Sequence, residues 1–280
     1  MKEVLVIANR TLGGAKLLEA VRERASSGDV CFRLVVPQTK PSAGLVIYDE
    51  AVRESAQVRV DLALSAVAAE GIEATGEVGD QDPFMATMDA IAAHRPDEII
   101  LSTHPAARSG WLRRDLLERI ESATGLPVHH IVVDLEQEGL SFKVTLVIAN
   151  KTSSGEELLT RLKEKAAEDS PHLFIAVVPQ VDGSGSAPVE ARARLASMLD
   201  RLHAAGLLSS GMIGDPDPYT AAMNAIELFH VDDVVISTLP GERSGWMRSN
   251  LIERVQSATS APVEHIVVDP QASPVAAAAR

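Results

Sequence analysis

The chain of 280 residues carries 39 acidic and 26 basic side chains, so its formal net charge of −13 repels phosphate backbones and anionic membrane surfaces. Only 3% of the residues are aromatic, which leaves few rings for stacking on single-stranded bases. Cys31 is the one cysteine, which excludes a disulfide framework, and no apolar run reaches the roughly 20 residues of a membrane span. We therefore expect a cytoplasmic protein whose partners are neither nucleic acid nor membrane.

The first half of the chain alternates short apolar runs with helical periodicity. Val4 to Ala8 is typical of a strand buried on both faces of a parallel sheet, and Leu17, Leu18 and Val21 follow at helical spacing. The same reasoning predicts strands near 32–36, 73–78, 98–101 and 128–133, and helices near 51–70, 83–95 and from a cap at Ser109 to about 123. This order predicts a five-stranded, doubly wound parallel sheet, an α/β/α sandwich.

The second half of the chain is a copy of the first. The repeated stretches are VIANRT at 6–11 and VIANKT at 147–152, VVPQ at 35–38 and 177–180, GDQDP at 79–83 and GDPDP at 214–218, RSGW at 108–111 and 243–246, and HIVVD at 130–134 and 265–269. The period is far longer than the roughly 20–50 residues of solenoid repeats, so each copy can bury its own core. We predict two tandem α/β domains, 1–135 and 143–270.

Repeated polar residues follow the predicted strands at one edge of each sheet. They are Asn9 and Thr11 with Asn150 and Thr152 after strand one, Gly79 and Asp80 with Gly214 and Asp215 after strand three, and Ser102 and Thr103 with Ser237 and Thr238 after strand four. In doubly wound sheets, ligands bind outside the carboxyl ends of the strands, where the strand order reverses. We therefore expect a ligand-binding edge in each domain.

The order of these motifs resembles the universal stress protein family, within the adenine nucleotide α-hydrolase-like (HUP) superfamily. The residues that carry the resemblance are Asn-x-Thr after strand one, then Ser-Thr, Arg-Ser-Gly-Trp and Pro-Val-x-His-Ile-Val-Val-Asp, in both halves. The resemblance covers nearly the whole chain. It implies a Rossmann-like fold, a mononucleotide site in each domain, and a role in stress response.

The resemblance also implies where a nucleotide would lie. Asn9 and Thr11, with Asn150 and Thr152, take the place of an Asp-x-Ser motif whose aspartate reaches the ribose, next to Ala8 and Ala149. Backbone at Val36 and Val178 would contact the adenine edge. The implied ligand is ATP or AMP, with Mg²⁺ if it is ATP.

The phosphate loop departs from the family pattern in both halves. The family's Gly-x-x-Gly becomes Ser102…Pro105 and Ser237…Pro240, and proline has no N–H to offer a phosphate. The residues that would donate to a phosphate instead are Ser109 and Gly110, with Ser244 and Gly245. Arg108 and Arg243 would either bind a phosphate or form salt bridges. The ligand therefore stays open between an adenine nucleotide and a related small anion.

Several other repeated residues have competing interpretations. Asp82 and Asp217 are more typical of helix caps than of metal ligands, whereas Asp80 and Asp215 could contribute to a Mg²⁺ site beside a phosphate. For Trp111 and Trp246 we favour packing against the neighbouring domain over stacking on a ligand. His130 and His265 are interpreted as interface or strand-edge residues.

Our leading hypothesis is a non-catalytic stress-response protein that binds an adenine nucleotide or a related small anion. One alternative is an interaction or scaffold protein that has lost its ligand; another, less favoured, is a nucleotide hydrolase acting through Asp80 and Ser109. By the resemblance, the two domains would pair through their fifth strands as an intrachain pseudo-dimer, joined by a linker at 135–142. The sequence leaves further homo-oligomerisation open.

Overall fold

The computed structural model describes residues 2–40, 49–105, 111, 115–168, 171–181, 185–241 and 245–269, with backbone alone at 49, 50 and 248. The chain divides into two compact units. The first comprises Met1–Lys40 and Ser55–Phe142, and the second Pro41–Glu54 and Lys143–Arg280. The tail beyond 269 lies outside the described residues.

The first unit is built on a five-stranded parallel sheet. Its strands are β1 (Lys2–Ile7), β2 (Val30–Pro37), β3 (Ala74–Gly79), β4 (Glu98–Thr103) and β5 (Val128–Val132). The order across the sheet is β3-β2-β1-β4-β5. Ile7 at the end of β1 therefore pairs with Val35 on one side and Leu101 on the other, which places the point of reversal between β1 and β4.

The second unit repeats this sheet. Its strands are β6 (Lys143–Ile148), β7 (His172–Pro179), β8 (Ser209–Gly214), β9 (Asp233–Thr238) and β10 (Val263–Val267). They lie in the order β10-β9-β6-β7-β8, again all parallel, so the reversal falls between β6 and β9. The prediction of an α/β chain with two five-stranded doubly wound sheets is confirmed.

The connections between the strands are helical. In the first unit they are α1 (Ala15–Ser26), α2 (Asp49–Ala69), α3 (Pro83–His94) and α4 (Leu116–Thr124), and α5 (Leu135–Glu138) follows β5. In the second unit they are α6 (Glu156–Ala166), α7 (Ala187–Ala204), α8 (Pro218–Leu228), and α9 (Gly245–Arg248) with α10 (Leu251–Ala258). Right-handed crossovers place the helices before and after the reversal on opposite faces of each sheet. Within the described ranges, no helix combines the length and the apolar character that crossing a membrane requires.

The predicted helix caps are present. Asp82 accepts a hydrogen bond from the backbone N–H of Phe84 at 2.9 Å, and Asp217 accepts one from Thr220 at 3.1 Å. Proline occupies the first helical position in both cases, where its missing N–H has no intrahelical partner to lose. The capping interpretation of these two aspartates is confirmed.

The fourth helix of each half differs from the prediction of one continuous helix from Ser109. α4 begins only at Leu116, after Asp115 with φ of 51°, and Asn250 with φ of 50° separates α9 from α10. A left-handed residue cannot continue an α-helix, and Asp and Asn are the non-glycine residues that tolerate this conformation best. Ser109 itself lies outside the described residues.

The segment predicted as a linker is packed against the first unit. It contains α5, and its ends Leu135 and Phe142 are both buried. A Cβ added to Gly13 would lie 2.8 Å from the Phe142 ring and 3.3 Å from Leu140. Apolar side chains of this segment thus cover the turn between β1 and α1.

Candidate ligand-binding site

A cavity of about 250 Å³ opens at the carboxyl end of the second sheet. Its lining comes from the segments that follow β6, β7, β8 and β9, and from α9. The described lining residues are Asn150, Lys151, Thr152, Gln180, Val181, Pro216, Ser237, Thr238, Leu239, Gly245 and Trp246. This is the edge at which β6 and β9 reverse the strand order, so the cavity lies where doubly wound sheets bind ligands.

The cavity brings together part of the set predicted for the second half. Asn150, Thr152, Ser237, Thr238 and Gly245 line it. The cavity lining does not include Ala149, Val178, Gly214 or Asp215, and Ala149 and Val178 are fully buried. Arg243 and Ser244 lie outside the described residues.

Asn150 is engaged by the protein at both ends of its amide. Its Nδ2 donates to the Pro179 carbonyl oxygen at 3.0 Å, and its Oδ1 accepts from Arg194 at 3.1 Å. The side chain therefore fastens the end of β6 to the end of β7. This bonding gives Asn150 a structural function at the position that the resemblance links to the ribose.

Two other buried polar groups in the lining are unpaired. The Ser237 hydroxyl and the Gln180 Oε1 have no hydrogen-bond partner among the residues that the structure describes, although the two side chains are only 1% and 3% exposed. Gln180 Nε2 donates to the Gly214 carbonyl at 3.3 Å, which fixes the amide and leaves Oε1 as the free acceptor. An unpaired buried polar group costs about 1–3 kcal/mol, so a ligand that supplies the missing partners would recover that free energy.

The Thr238 hydroxyl is held by a histidine. Thr238 Oγ1 lies 3.1 Å from the Leu239 carbonyl oxygen, to which it donates, and 2.8 Å from His265 Nε2. With the one hydroxyl proton directed to Leu239, the Nε2–H tautomer of His265 is the donor to Thr238. Burial lowers the pKa of His265, while the charge of Glu253 raises it. In that tautomer the histidine is not a base for the Thr238 hydroxyl.

The rest of the lining combines one positive charge with apolar surface. Among the described lining residues, Lys151 alone carries a formal charge, and its side chain is exposed at the edge of the cavity. Val181, Pro216 and Leu239 supply apolar walls, and the Trp246 indole adds an aromatic surface. In a chain of net charge −13, this local excess of positive charge favours an anionic or neutral polar ligand over a cationic one.

The first unit places the matching residues at the same edge of its sheet, but their hydrogen bonds agree only in part with those of the second unit. Asn9 Nδ2 donates to the Pro37 carbonyl at 3.3 Å and to Thr39 Oγ1 at 2.7 Å, while Ser102 donates to Thr11 Oγ1 at 2.9 Å. Ala8 and Val36 are fully buried in the core. Arg108, Ser109 and Gly110 lie outside the described residues.

The His–Thr pair recurs in the first unit. His130 Nε2 lies 2.8 Å from Thr103 Oγ1, which donates to the His104 carbonyl at 3.0 Å, and burial lowers the pKa of His130. The strand-edge interpretation of these histidines missed this bond. His130 and His265 both stand 27 positions after their threonines, so the constant spacing was a signal in the sequence.

Gly79 and Gly214 have a packing function in both units. A Cβ added to either residue would lie 2.6 Å from the Cβ of a helix alanine, Ala86 or Ala221. The glycines allow α3 and α8 to approach the sheet closely. Their recurrence in both halves is therefore explained without a ligand.

Asp80 and Asp215 also have a structural function, in the turns that precede α3 and α8. Oδ1 of Asp80 accepts from the backbone N–H of Asp82 at 2.8 Å, and Oδ1 of Asp215 accepts from that of Asp217 at 2.9 Å. These bonds order the turn before each capped helix. The described parts of the chain contain no group of three or more His, Cys, Asp or Glu side chains that could hold a metal ion.

Gln180 is a lining residue that the candidate set omitted. The repeat VVPQ had singled out its motif, because Gln38 occupies the same place and donates to the Gly79 carbonyl at 3.0 Å. Lys151, Val181, Pro216 and Leu239 also line the cavity without having been candidates, and so does Trp246, for which stacking on a ligand was the less favoured interpretation. Trp111, by contrast, packs against the hydrophobic core of its own unit.

Comparisons with known proteins give matches among solved structures. No protein-family model matches the sequence, and no curated protein matches it. Among the solved structures that match is the crystal structure of a universal stress protein from Archaeoglobus fulgidus DSM 4304, which is 16% identical in sequence. The match covers 96% of this chain and 97% of that one, with a TM-score of 0.36.

Proposed function

We propose that this chain is a non-catalytic stress-response protein that binds an adenine nucleotide or a related small anion in the cavity of the second unit. The stress-response part of the proposal rests on the resemblance of the repeated sequence motifs. The binding part rests on one observation: a cavity at the point where the strand order reverses is lined by Ser237 and Gln180, two residues that carry buried polar atoms without a partner among the described residues.

The chemistry of the lining supports a base-containing ligand with a negative charge. Gln180 Oε1 can accept from an exocyclic amine, and the Ser237 hydroxyl can donate or accept. Trp246 offers a surface on which a planar ring can stack, and Lys151 offers a cation to a phosphate. These groups together match the two parts of a nucleoside monophosphate.

The size of the cavity favours AMP over ATP. Its volume of about 250 Å³ is slightly below the roughly 300–1,000 Å³ of pockets for drug-sized ligands. Pro240, which follows Leu239, has no N–H with which to bind a further phosphate group. We therefore expect the tightest binding for the monophosphate.

Fluorescence of Trp246 provides a direct test. Replacing Trp111 by Phe leaves Trp246 as the only tryptophan, and this variant is titrated with adenosine, AMP, ATP and ATP with Mg²⁺. We expect a saturable change with AMP and a weaker response to ATP. Lys151→Ala should weaken AMP binding and leave adenosine binding unchanged, because only AMP carries a charge for the lysine.

The same titration discriminates the alternatives. The absence of a saturable change with all four ligands would refute nucleotide binding and favour the scaffold hypothesis. Release of phosphate or adenosine during incubation would instead support a hydrolase. Pairing of the two domains through their fifth strands stays a prediction.

A further inference from the structure

We propose that Arg194 is a second cation of the ligand site, and that together with Lys151 it makes the cavity of the second unit select a phosphate monoester over ligands with a single negative charge or none. This inference rests on the proposed function and deepens it. It assigns a residue of α7 that lies outside the described lining, and it names the chemical group that the site prefers.

Arg194 reaches the site through Asn150, a residue of the cavity lining. Its Nη1 donates to Asn150 Oδ1 at 3.1 Å. Lys151 follows Asn150 directly in the chain and also lines the cavity. Two cations therefore meet at one lining residue. Because the Coulomb interaction between two charges acts over several ångströms, the Arg194 guanidinium stabilises an anion in the cavity without having to form its wall.

The ion pair that holds Arg194 is of a kind that a phosphate can displace. Arg194 Nη2 donates at 2.9 Å to Oε2 of Glu190, which lies one turn earlier on the same helix and has a side chain that is 55% exposed. Ion pairs at this spacing on a helix surface stabilise the helix only weakly. A phosphate forms two parallel hydrogen bonds with a guanidinium, so it competes well with such a carboxylate.

The duplication has kept this pair of cations. Arg59 on α2 and Arg194 on α7 each stand 12 positions before the glycine that follows their helix, and Arg10 takes the place of Lys151 in the repeated Asn-x-Thr stretch. In the first unit, burial and then the charge of Arg10 lower the pKa of Arg59 to about 9, so these two cations also lie near one another. Like charges repel, and their recurrence together in both halves favours a function in binding an anion.

Calorimetry at about pH 8 tests the preference with AMP, its methyl phosphodiester and adenosine. At this pH AMP carries two negative charges, because the second pKa of a phosphate monoester is about 6, while the diester carries one and adenosine none. Arg194→Gln should weaken AMP binding about tenfold, as for one lost charge-assisted hydrogen bond, and leave adenosine binding within about twofold. The loss for the diester should be intermediate. Glu190→Gln should strengthen AMP binding, because it removes the carboxylate that competes for the guanidinium.

Arg201→Gln is the matched control. Arg201 lies two turns further along α7 and donates to the Ser154 carbonyl oxygen and to Glu156, which are also in the segment after β6 but outside the described lining. AMP binding by this variant should stay within about twofold of the parent. Equal losses for AMP and adenosine in Arg194→Gln would show that the arginine only positions Asn150, and an equal loss of AMP binding in Arg201→Gln would show a general effect of charge. Either result would overturn the inference.

Inorganic phosphate separates this inference from the proposed function, because it has no base to recognise. The Arg194 Nε–H signal, assigned by its loss in Arg194→Gln, should shift saturably in ¹H–¹⁵N NMR when phosphate is added. If phosphate shifts it while no adenosine compound binds, the nucleotide proposal fails and the function of Arg194 stands. If AMP binds equally well to the parent and to Arg194→Gln, the proposed function stands and this inference fails. If neither phosphate nor any adenosine compound binds, both fail.

Discussion

His265 Nε2 lies 2.8 Å from Thr238 Oγ1, and His130 stands at the same 2.8 Å from Thr103 in the other unit. In both units the threonine proton is directed to the next residue's carbonyl oxygen. Each histidine is therefore a donor through Nε2. The duplication has preserved a bond that fastens the end of the fourth strand to the fifth.

The tautomer of these histidines is the first prediction. At neutral pH, His130 and His265 should both be neutral with the proton on Nε2, because burial lowers their pKa values and the threonine accepts. Long-range ¹H–¹⁵N NMR of the imidazole rings distinguishes the two tautomers. Protonation on Nδ1 alone would show that the threonine is the donor, and would restore the possibility of an activated hydroxyl.

The second prediction concerns pH and His172. This side chain is 6% exposed, stacks on Phe174 and has no hydrogen-bond partner for either ring nitrogen among the described residues. Burial lowers the pKa of His172, and the charges of Asp233 and Glu168 only partly oppose that shift. As the pH falls below about 6.5, the unfolded chain takes up the proton first, so the free energy of unfolding should decrease from there towards lower pH.

A replacement taken from the repeat tests this cause. β2 begins with Val30 where β7 begins with His172, so His172→Val should fit the strand. The variant should lose less stability than the parent between about pH 7 and pH 5, measured by urea unfolding at each pH. His230→Val, at an exposed position, is the control. Identical pH slopes for parent and His172→Val would contradict the prediction.

The glycines before α1 and α6 give the third prediction. Gly14 and Gly155 have ordinary negative φ values of −64° and −71°, so alanine meets no backbone strain there. A Cβ would nevertheless overlap Val133 in the first unit and Val268 in the second. Gly155→Ala should therefore lower the free energy of unfolding by about 1–3 kcal/mol, the usual cost of overpacking.

The double variant identifies the cause of that loss. Val268→Ala removes the methyl groups that the new Cβ would meet, so Gly155→Ala with Val268→Ala should lose less than the sum of the two single variants. Chemical denaturation of the four chains gives the coupling energy. Strict additivity of the two losses would mean that the contact between the new Cβ at position 155 and Val268 does not cause the destabilisation.

The fourth prediction concerns the mostly buried Lys165. Its ammonium lies 3.1 Å from Asp233 and 3.5 Å from Glu264. Lys165→Met should cost about 2–4 kcal/mol, somewhat less than the roughly 3–5 for fully buried pairs, because Glu264 is 35% exposed. Lys165→Arg should be tolerated, because the first unit has an arginine at the matching position. This residue, Arg24 in the last turn of α1, pairs with Glu98 at 3.0 Å. Equal losses for both substitutions would argue that shape rather than charge matters here.

The sequence predicted the elements of the fold well where one physical signal dominated. A strand buried on both faces, such as β1, must be apolar throughout, and Asp-Pro at 82–83 and 217–218 is a local signal for a helix start. The fourth helix was predicted as one continuous helix, which is wrong. Asp115 and Asn250 interrupt it by adopting a left-handed conformation, which no periodicity of apolar residues reports.

By itself, the sequence determined that this protein is a duplicated α/β chain with its repeated polar motifs at one edge of each sheet. Strand burial, helix caps and the repeat are all properties of short segments or of their comparison. Only the tertiary structure decided which polar groups remain free. Ser102 and Ser237 each lie between an apolar residue and a threonine in matching strands, but whether a hydroxyl is paired depends on atoms far away along the sequence. Thr11 accepts from Ser102, while the Ser237 hydroxyl has no partner among the described residues.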